Sequence, residues 1–417
     1  MRSRLRSTDP ALAGHGPHLR GIPVVVAGRA QTAAKGRGTL IEIASRHDGA
    51  TREGVDDDWA SNAHAPDGVP AEGAPACADA TELRLEHARS IVAHNDSPDI
   101  PFDWSVNPYR GCEHGCIYCY ARPTHGWIGL SPGLDFERII VAKENAPALL
   151  ARALARPGWR GEPINIGAVT DPYQPAERRL GLTRALLEVC SAHSQPVTIV
   201  TKSALVERDI DVLAALATRR LVWVLMTVTT LDPALARTLE PRASAPWRRI
   251  RAIRALAEAG VPTGVSVGPV IPSINDHELE HVLEAAAGAG ATSAHYTIIR
   301  LPWEVAPLFE QWLSDHLPLR ASRVMNLIRE MRDGRRNDPA FHSRMKGEGV
   351  YADLIGQRFR LAARRNSLDR TRPPLDSHRF AVPAPPSGPS TPTVPSTPPA
   401  RSVPPEASAT VTQLSLF

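Results

Sequence analysis

Long apolar runs are missing from this sequence. No stretch approaches the roughly 20 residues that a bilayer-spanning helix needs, so no membrane crossing is expected. The basic segment from Met1 to Arg20 lacks the apolar run of a secretory signal and is interrupted by His15, Pro17 and His18. A cytoplasmic protein is expected. Cysteine is scarce: five occur in 417 residues, at 77, 112, 116, 119 and 190. Three of them fall within eight residues, a poor layout for a disulfide framework and a good one for a metal in a reducing compartment. Neither charge sign dominates. The net charge of +4, spread along the chain, hints at tolerance for a polyanion without establishing one. Aromatic residues are few (5%) and the 39 prolines are unevenly placed, so they mark particular segments.

Residues 1–82 are rich in Ala, Gly, Asp and Arg and show no sustained period of 3.6 or 2.0, which reads as a mostly disordered or loosely packed extension. Within it, 35–43 has the texture of a local strand or extended arm. From residue 83 the pattern changes to repeated βα units. Strands are expected at 164–169, 197–201, 222–229, 264–271 and 293–299, with one more near 104–107. Helices are expected at 146–155, 178–193, 205–219, 248–259 and 276–289. Asp232 before Pro233 reads as an N-cap with proline at N1, and Gly260 as a helix stop. Six units over 83–301 give an α/β fold, a partial (β/α)6 TIM-like barrel with its functional loops at the carboxyl ends of the strands. A helical extension (302–372), a Pro-rich disordered linker (373–412) and a bulky apolar pentapeptide (413–417) follow.

The chemistry concentrates in Asn107-Pro-Tyr-Arg-Gly-Cys112-Glu-His-Gly-Cys116-Ile-Tyr-Cys119-Tyr-Ala-Arg-Pro123, a C-x3-C-x2-C spacing. Three thiolates on one loop suit three irons of a [4Fe–4S] cluster and leave a fourth iron open for chemistry. Gly111 and Gly115 let the backbone wrap such a cluster. The alternatives are a zinc knuckle completed by His114, or unrelated buried thiols. Structural zinc sites usually join two separated ligand pairs, and no second C-x2-C occurs here.

The C-x3-C-x-aromatic-C pattern, with Tyr118 as the aromatic, resembles that of the radical S-adenosylmethionine (SAM) superfamily. The longer strings resemble its spore photoproduct lyase-related branch, often labelled "DNA repair photolyase-like", and within it an uncharacterised bacterial subfamily. They are Asn107–Cys112, 129–135, Thr170-Asp-Pro-Tyr-Gln-Pro-Ala-Glu177, Thr201-Lys-Ser203, Leu239-Glu-Pro-Arg242 and 267–272.

This resemblance implies a cluster on Cys112, Cys116 and Cys119, a SAM molecule chelated to the open iron, and one-electron cleavage to a 5′-deoxyadenosyl radical. An electron donor such as flavodoxin or ferredoxin is implied with it. Tyr118 would lie beside the adenine. Lys202, with Thr227 near it, would meet the SAM carboxylate, and Thr170 and Asp171 would open the loop after their strand into the site. Arg242 has two readings, a substrate phosphate or an ion pair with Glu240. One departure stands out. The lyases carry a hydrogen-donating cysteine on the strand before their counterpart of Thr170-Asp171, where this chain has Gly167, Ala168 and Val169. Tyr120 and Tyr173 are the candidate substitutes; Cys190 and Cys77 are not evident ones.

Gln413, Leu414, Ser415, Leu416 and Phe417 resemble the pentapeptide by which bacterial repair proteins dock on the DNA polymerase sliding clamp, two apolar anchors on a flexible tether. The leading expectation is a radical SAM enzyme acting on nucleic acid in DNA maintenance. A protein or small-molecule substrate, or a non-catalytic redox-sensing or recruitment role, remains open. The Arg-rich segments 248–254 and 358–365 are candidates for phosphate contact.

Overall fold

The computed structural model describes residues 24–25, 36–39, 41–47, 80–370 and 374–383. The rest of the N-terminal extension, linker residues 384–412, peptide 413–417 and Cys77 lie outside the described residues.

Six parallel strands form the core sheet: β1 (Trp104–Val106), β2 (Ile164–Ile166), β3 (Val197–Thr201), β4 (Val222–Thr227), β5 (Thr263–Val270) and β6 (Ser293–Ile298). They lie side by side in chain order, and Val92–His94 adds an antiparallel edge outside β1. The strands are short apolar runs because helices cover their outer face while side chains fill the inner one. Ile164, Ile166, Val197, Ile199, Val222, Val224, Val265 and Val267 are all essentially without exposure. The intervening helices include Ala146–Leu154, Leu182–Ala192, Ile210–Ala217, Pro246–Glu258 and Leu279–Gly288. Six βα units therefore build an open barrel, as the sequence pattern implies.

The boundaries shift where local chemistry intervenes. The helix expected at 178–193 is two, Glu177–Leu180 and Leu182–Ala192, parted at Gly181. The one expected at 205–219 opens as a 3-10 turn, Ala204–Asp209, whose Leu205 amide donates to the Ser203 hydroxyl at 3.2 Å and whose Ala204 amide donates to Ser244 Oγ at 2.8 Å. Asp232 does cap the helix Pro233–Leu239, accepting from Ala234 N at 2.7 Å.

A three-stranded second sheet (Glu82–Glu86, Ile139–Lys143, Tyr109–Arg110) carries the cysteine loop, since Tyr109–Arg110 runs straight into it. The described part of the N-terminal extension is not loose. Glu42–Ile43 pairs with Val24–Val25, and Ile41 and Ile43 sit in the main core. The apolar Ile-x-Ile spacing is what docks this arm.

Beyond β6, helices Val305–His316, Pro318–Glu330, Ser343–Lys346 and Val350–Arg365 complete the described extension. They clasp the open side of the barrel. Arg344, nearly buried, donates to Asp99 and to Ser97 in the loop before β1, and His342 N donates to Asp99 Oδ1 at 2.6 Å. Asp99→Ala strands a buried guanidinium, a change that costs about 3–5 kcal/mol. Denaturant unfolding should register that loss; a change under ~1 kcal/mol would mean that the clasp is not structural.

Candidate functional site

The three cysteines of the loop are reduced; Cys112 and Cys116 are buried and Cys119 is half-exposed. Backbone bonds coil the loop tightly: Gly115 N to Cys112 O (3.3 Å), Cys119 N to Cys116 O (3.2 Å) and Cys112 N to Phe136 O (2.9 Å). Gly115 sits at φ +65°, where a side chain is strained. Over it lies Gly38 of the N-terminal arm, so close that a Cβ there would stand 1.9 Å from Gly115 O. The Gly38 amide instead donates to Glu137 Oε2 at 2.8 Å.

Two buried ion pairs brace this loop. Arg122, without exposure, donates to Cys116 O (2.9 Å), Gly133 O (2.9 Å) and Gly115 O (3.2 Å) and faces Glu137. Glu240 is the centre of the second. It accepts from the Tyr118 hydroxyl, from Thr229 Oγ1 (2.6 Å) and from Arg249, which also reaches Thr227 O at 3.2 Å. Arg242 therefore does not pair with Glu240, as one sequence reading had it. It pairs with Glu113 at 3.0 Å, because Arg249 arrives from the helix Pro246–Glu258 and takes the buried carboxylate.

The Thr170–Glu177 string joins the same assembly. Gln174 bridges Glu113 N (2.9 Å) and Gly111 O (3.2 Å). Asp171 Oδ1 accepts from Thr201 Oγ1 (2.7 Å), and Oδ2 from Lys202 N (2.7 Å). His114 Nδ1 stands 3.3 Å from that same Oδ2, so this histidine faces Asp171. Asp171 thus ties the cysteine loop to the end of β3. Thr170 is different: its Oγ1 is buried with no protein partner.

Lys202 and Thr227 come together with Tyr118. Lys202 is half-buried with Nζ 5.9 Å from the Tyr118 ring centre, and Thr227 is buried beside it on β4. Sequence reasoning missed their neighbours on β5 and β6. Thr227 pairs with Ser266, and Ser266 with His295. Since Tyr296 packs outward on Phe359 (4.5 Å), alternation turns His295 into the barrel. Gln174 and Glu240 were also missed as braces, although both lie in strings that the sequence singles out.

Of the candidate hydrogen donors, Tyr173 is fully buried, whereas Tyr120 is 51% exposed and spans the mouth, its hydroxyl on Ala168 O and its ring 5.8 Å below Arg300. Cys190 is buried in its helix. Of the Arg-rich segments, Arg248 reaches Glu207 (3.2 Å) and borders a hollow of about 490 Å³ with Arg178 and Arg208, while Arg358 is bound to Glu280 at 2.6 Å.

Electrostatics follow from burial. Desolvation pushes the Cys116 thiol up to about 12 and raises the Cys112 thiol well above its ordinary value, so an iron must displace their protons. Burial also works against the Asp171 and Glu240 carboxylates, yet their partners (His114, Lys202 N and Thr201 for one; Arg249, Lys202 and Thr229 for the other) hold both near 2. At Lys202, burial is outweighed by Cys116 and Glu240, and its ammonium is favoured.

Among the described residues no three His, Cys, Asp or Glu side chains are grouped so as to share a single metal ion. A cubane asks something else, one thiolate at each of three iron corners. Three reduced thiols on a glycine-wrapped loop, with the unpartnered Thr170 hydroxyl nearby, fit that group.

A carboxylate held below its ordinary value lends stability above that value and loses it as pH falls through the folded one. Glu240→Gln in cluster-free protein should therefore cost about 3–5 kcal/mol at pH 7 by leaving Arg249 unpaired. The gap from wild type should shrink as pH falls from ~5 toward ~2. A gap that stays constant across that window would refute the assignment.

Comparison with known proteins adds the family. Residues 106–286 match the model of the "Radical SAM superfamily". An uncharacterised protein of Mycobacterium tuberculosis is 38% identical over 232 residues, 55% of this chain and 68% of that protein. One of Methanocaldococcus jannaschii is 31% identical over 173 residues, 42% of this chain and 62% of that protein. Among solved structures, spore photoproduct lyase complexed with dinucleoside spore photoproduct has a TM-score of 0.50 at 15% identity, covering 68% of this chain and 79% of that one; it speaks to fold alone. With the cysteine loop at the carboxyl ends of six parallel strands and a relative of this identity and coverage, the chain belongs to the radical SAM superfamily.

Proposed function

We propose that this protein is a radical SAM enzyme that acts on nucleic acid in DNA maintenance. The observation that carries the reading is the meeting of Cys112, Cys116 and Cys119 with Tyr118 and Lys202 at the mouth of an open parallel barrel. The superfamily uses a [4Fe–4S] cluster and SAM. When bound, they supply a hydrogen-abstracting radical from one electron, delivered by a flavodoxin- or ferredoxin-like donor.

The residues divide the remaining work. The three thiolates would hold iron, and the loop braces would fix their positions around it. Tyr118, fixed through its hydroxyl, offers a ring face to the adenine. Lys202 offers an ammonium to the SAM carboxylate, a charge-assisted bond worth about 1.5–3 kcal/mol. Thr170 Oγ1 and Thr227 offer polar contacts beside it. Asp171 acts indirectly, by setting the backbone of Lys202.

Two points support nucleic acid as substrate. The lyase of matching fold is described in complex with dinucleoside spore photoproduct. Residues 413–417 resemble a clamp-docking peptide. Thymine-dimer reversal by the lyase route is not part of the proposal. No cysteine stands at 167–169, and the mouth presents Tyr120 in its place.

The test is release of 5′-deoxyadenosine by reconstituted, dithionite-reduced protein, with and without damaged or modified DNA. Stimulation by DNA is expected. Turnover unaffected by any nucleic acid but raised by a peptide or metabolite would support the alternative substrates. Lys202→Ala should weaken SAM binding roughly 10- to 100-fold with iron content unchanged; unchanged affinity removes Lys202 from the pocket. Deletion of 413–417 should abolish retention on immobilised sliding clamp, and equal retention without those residues would end that reading.

A further inference from the structure

Four cationic side chains gather on the open side of the barrel: Arg300, just past β6, with Arg332, Arg344 and Lys346 from the helical extension. Three are committed to the protein. Arg344 holds Asp99 and Ser97. Arg332 donates to Ile299 O and Ser343 O, both at 2.9 Å, and Lys346 to Tyr296 O at 2.6 Å.

Arg300 is not committed in this way. It is half-buried, its NH1 meets only the Met345 sulfur at 3.6 Å, and its Nε is buried with no partner. Among the described residues no carboxylate pairs with it. The two acids that its charge feels are spoken for, Asp99 by Arg344 and His342 N, Asp338 by Ser343 and Ala340 N. Burial and the neighbouring Arg344 both push the Arg300 pKa down. A guanidinium withdrawn from water without a counter-charge is unfavourable, and an incoming anion relieves it. The guanidinium also stands over the Tyr120 ring, one residue from cluster ligand Cys119. An anion seated there is held beside the reacting centre.

We propose that Arg300 anchors a phosphate of the substrate at the barrel mouth, gripping one phosphodiester of a nucleic-acid strand with its guanidinium fork while Tyr120 gives the adjoining nucleotide an aromatic floor. A bidentate guanidinium–phosphate contact combines charge with geometry, and a base or sugar resting on tyrosine is tolerant of sequence. This rests on the nucleic-acid reading above and adds the residue that would recognise the backbone.

The experiment measures binding of a labelled single-stranded oligonucleotide to the cluster-loaded full chain over a salt series. Arg300→Gln should weaken binding about tenfold and flatten the log K against log salt slope by roughly 0.7, the loss of one phosphate contact. Arg300→Lys should restore the slope but only part of the affinity, because it keeps the charge and loses the fork. If Arg300→Gln proves misfolded by circular dichroism, Arg300→Lys decides: affinity equal to wild type would then overturn the fork. Wild-type binding with affinity and slope unchanged in Arg300→Gln overturns the Arg300 site and leaves the nucleic-acid reading standing. No retention by wild type, even at low salt, overturns both. Inorganic phosphate competing through Arg300 as well as the oligonucleotide does overturns the strand assignment in favour of a small phosphorylated substrate.

Discussion

Arg122 has no exposure to solvent, and its guanidinium is spent on the backbone that holds the cysteines. It gathers the carbonyls of Gly115, Cys116 and Gly133 and is balanced by the equally buried Glu137. Glu137 in turn takes the Gly38 amide, so the arm from the N-terminal side and the loop share one buried charge pair. The loop packs Cys116, Ile117 and Tyr118 into the main core, but apolar contacts alone do not set its backbone path. Its shape is set by hydrogen bonds to charge, each stronger than a neutral one in so dry a place. Losing either partner leaves an uncompensated ion under the three thiols, and the cluster geometry, the seat of Tyr118 and the seal of the arm go with it.

Around this centre the protein separates satisfied polar groups from unsatisfied ones. Glu240 and Asp171 each meet several donors and serve as fixed braces. Thr170 Oγ1 and Arg300 Nε, by contrast, are buried with no protein partner. His295 and Ser266 lie side by side in register on β6 and β5, Ser266 buried and His295 open to solvent. The braces keep the loop in place, and Thr170 Oγ1 and Arg300 Nε are left open to a ligand.

Much of this was legible in the sequence. The alternation of β-branched runs with helical periods marks five of the six strands, since parallel strands under helices are short and uniformly apolar, and the sixth is placed by its leading into the cysteine loop. The cysteine spacing marked the loop because three soft ligands in eight residues have few other uses. Strand ends and the split helix at Gly181 were not legible, being decided by single backbone conformations. The strand or arm texture at 35–43 is legible and Glu42–Ile43 is a strand, but its docking is not, because two isoleucines are too few to form a period; they count only once the cleft that receives them exists. Long-range pairing was hidden for the same reason. Arg242 lies two residues from Glu240, yet Arg249 is its partner, because a helix brings that side chain into the core and leaves Arg242 at its edge. Arg300 carries no motif; its meaning comes from the absence of a counter-charge, which only the folded chain reveals.

The most direct measurement is electron paramagnetic resonance of anaerobically reconstituted, dithionite-reduced protein, recorded with and without SAM alongside iron analysis. About four irons per chain and a reduced-cluster signal that changes on adding SAM are expected, with both lost in Cys116→Ala. Zinc in place of iron, or a cluster whose signal ignores SAM, would contradict the account.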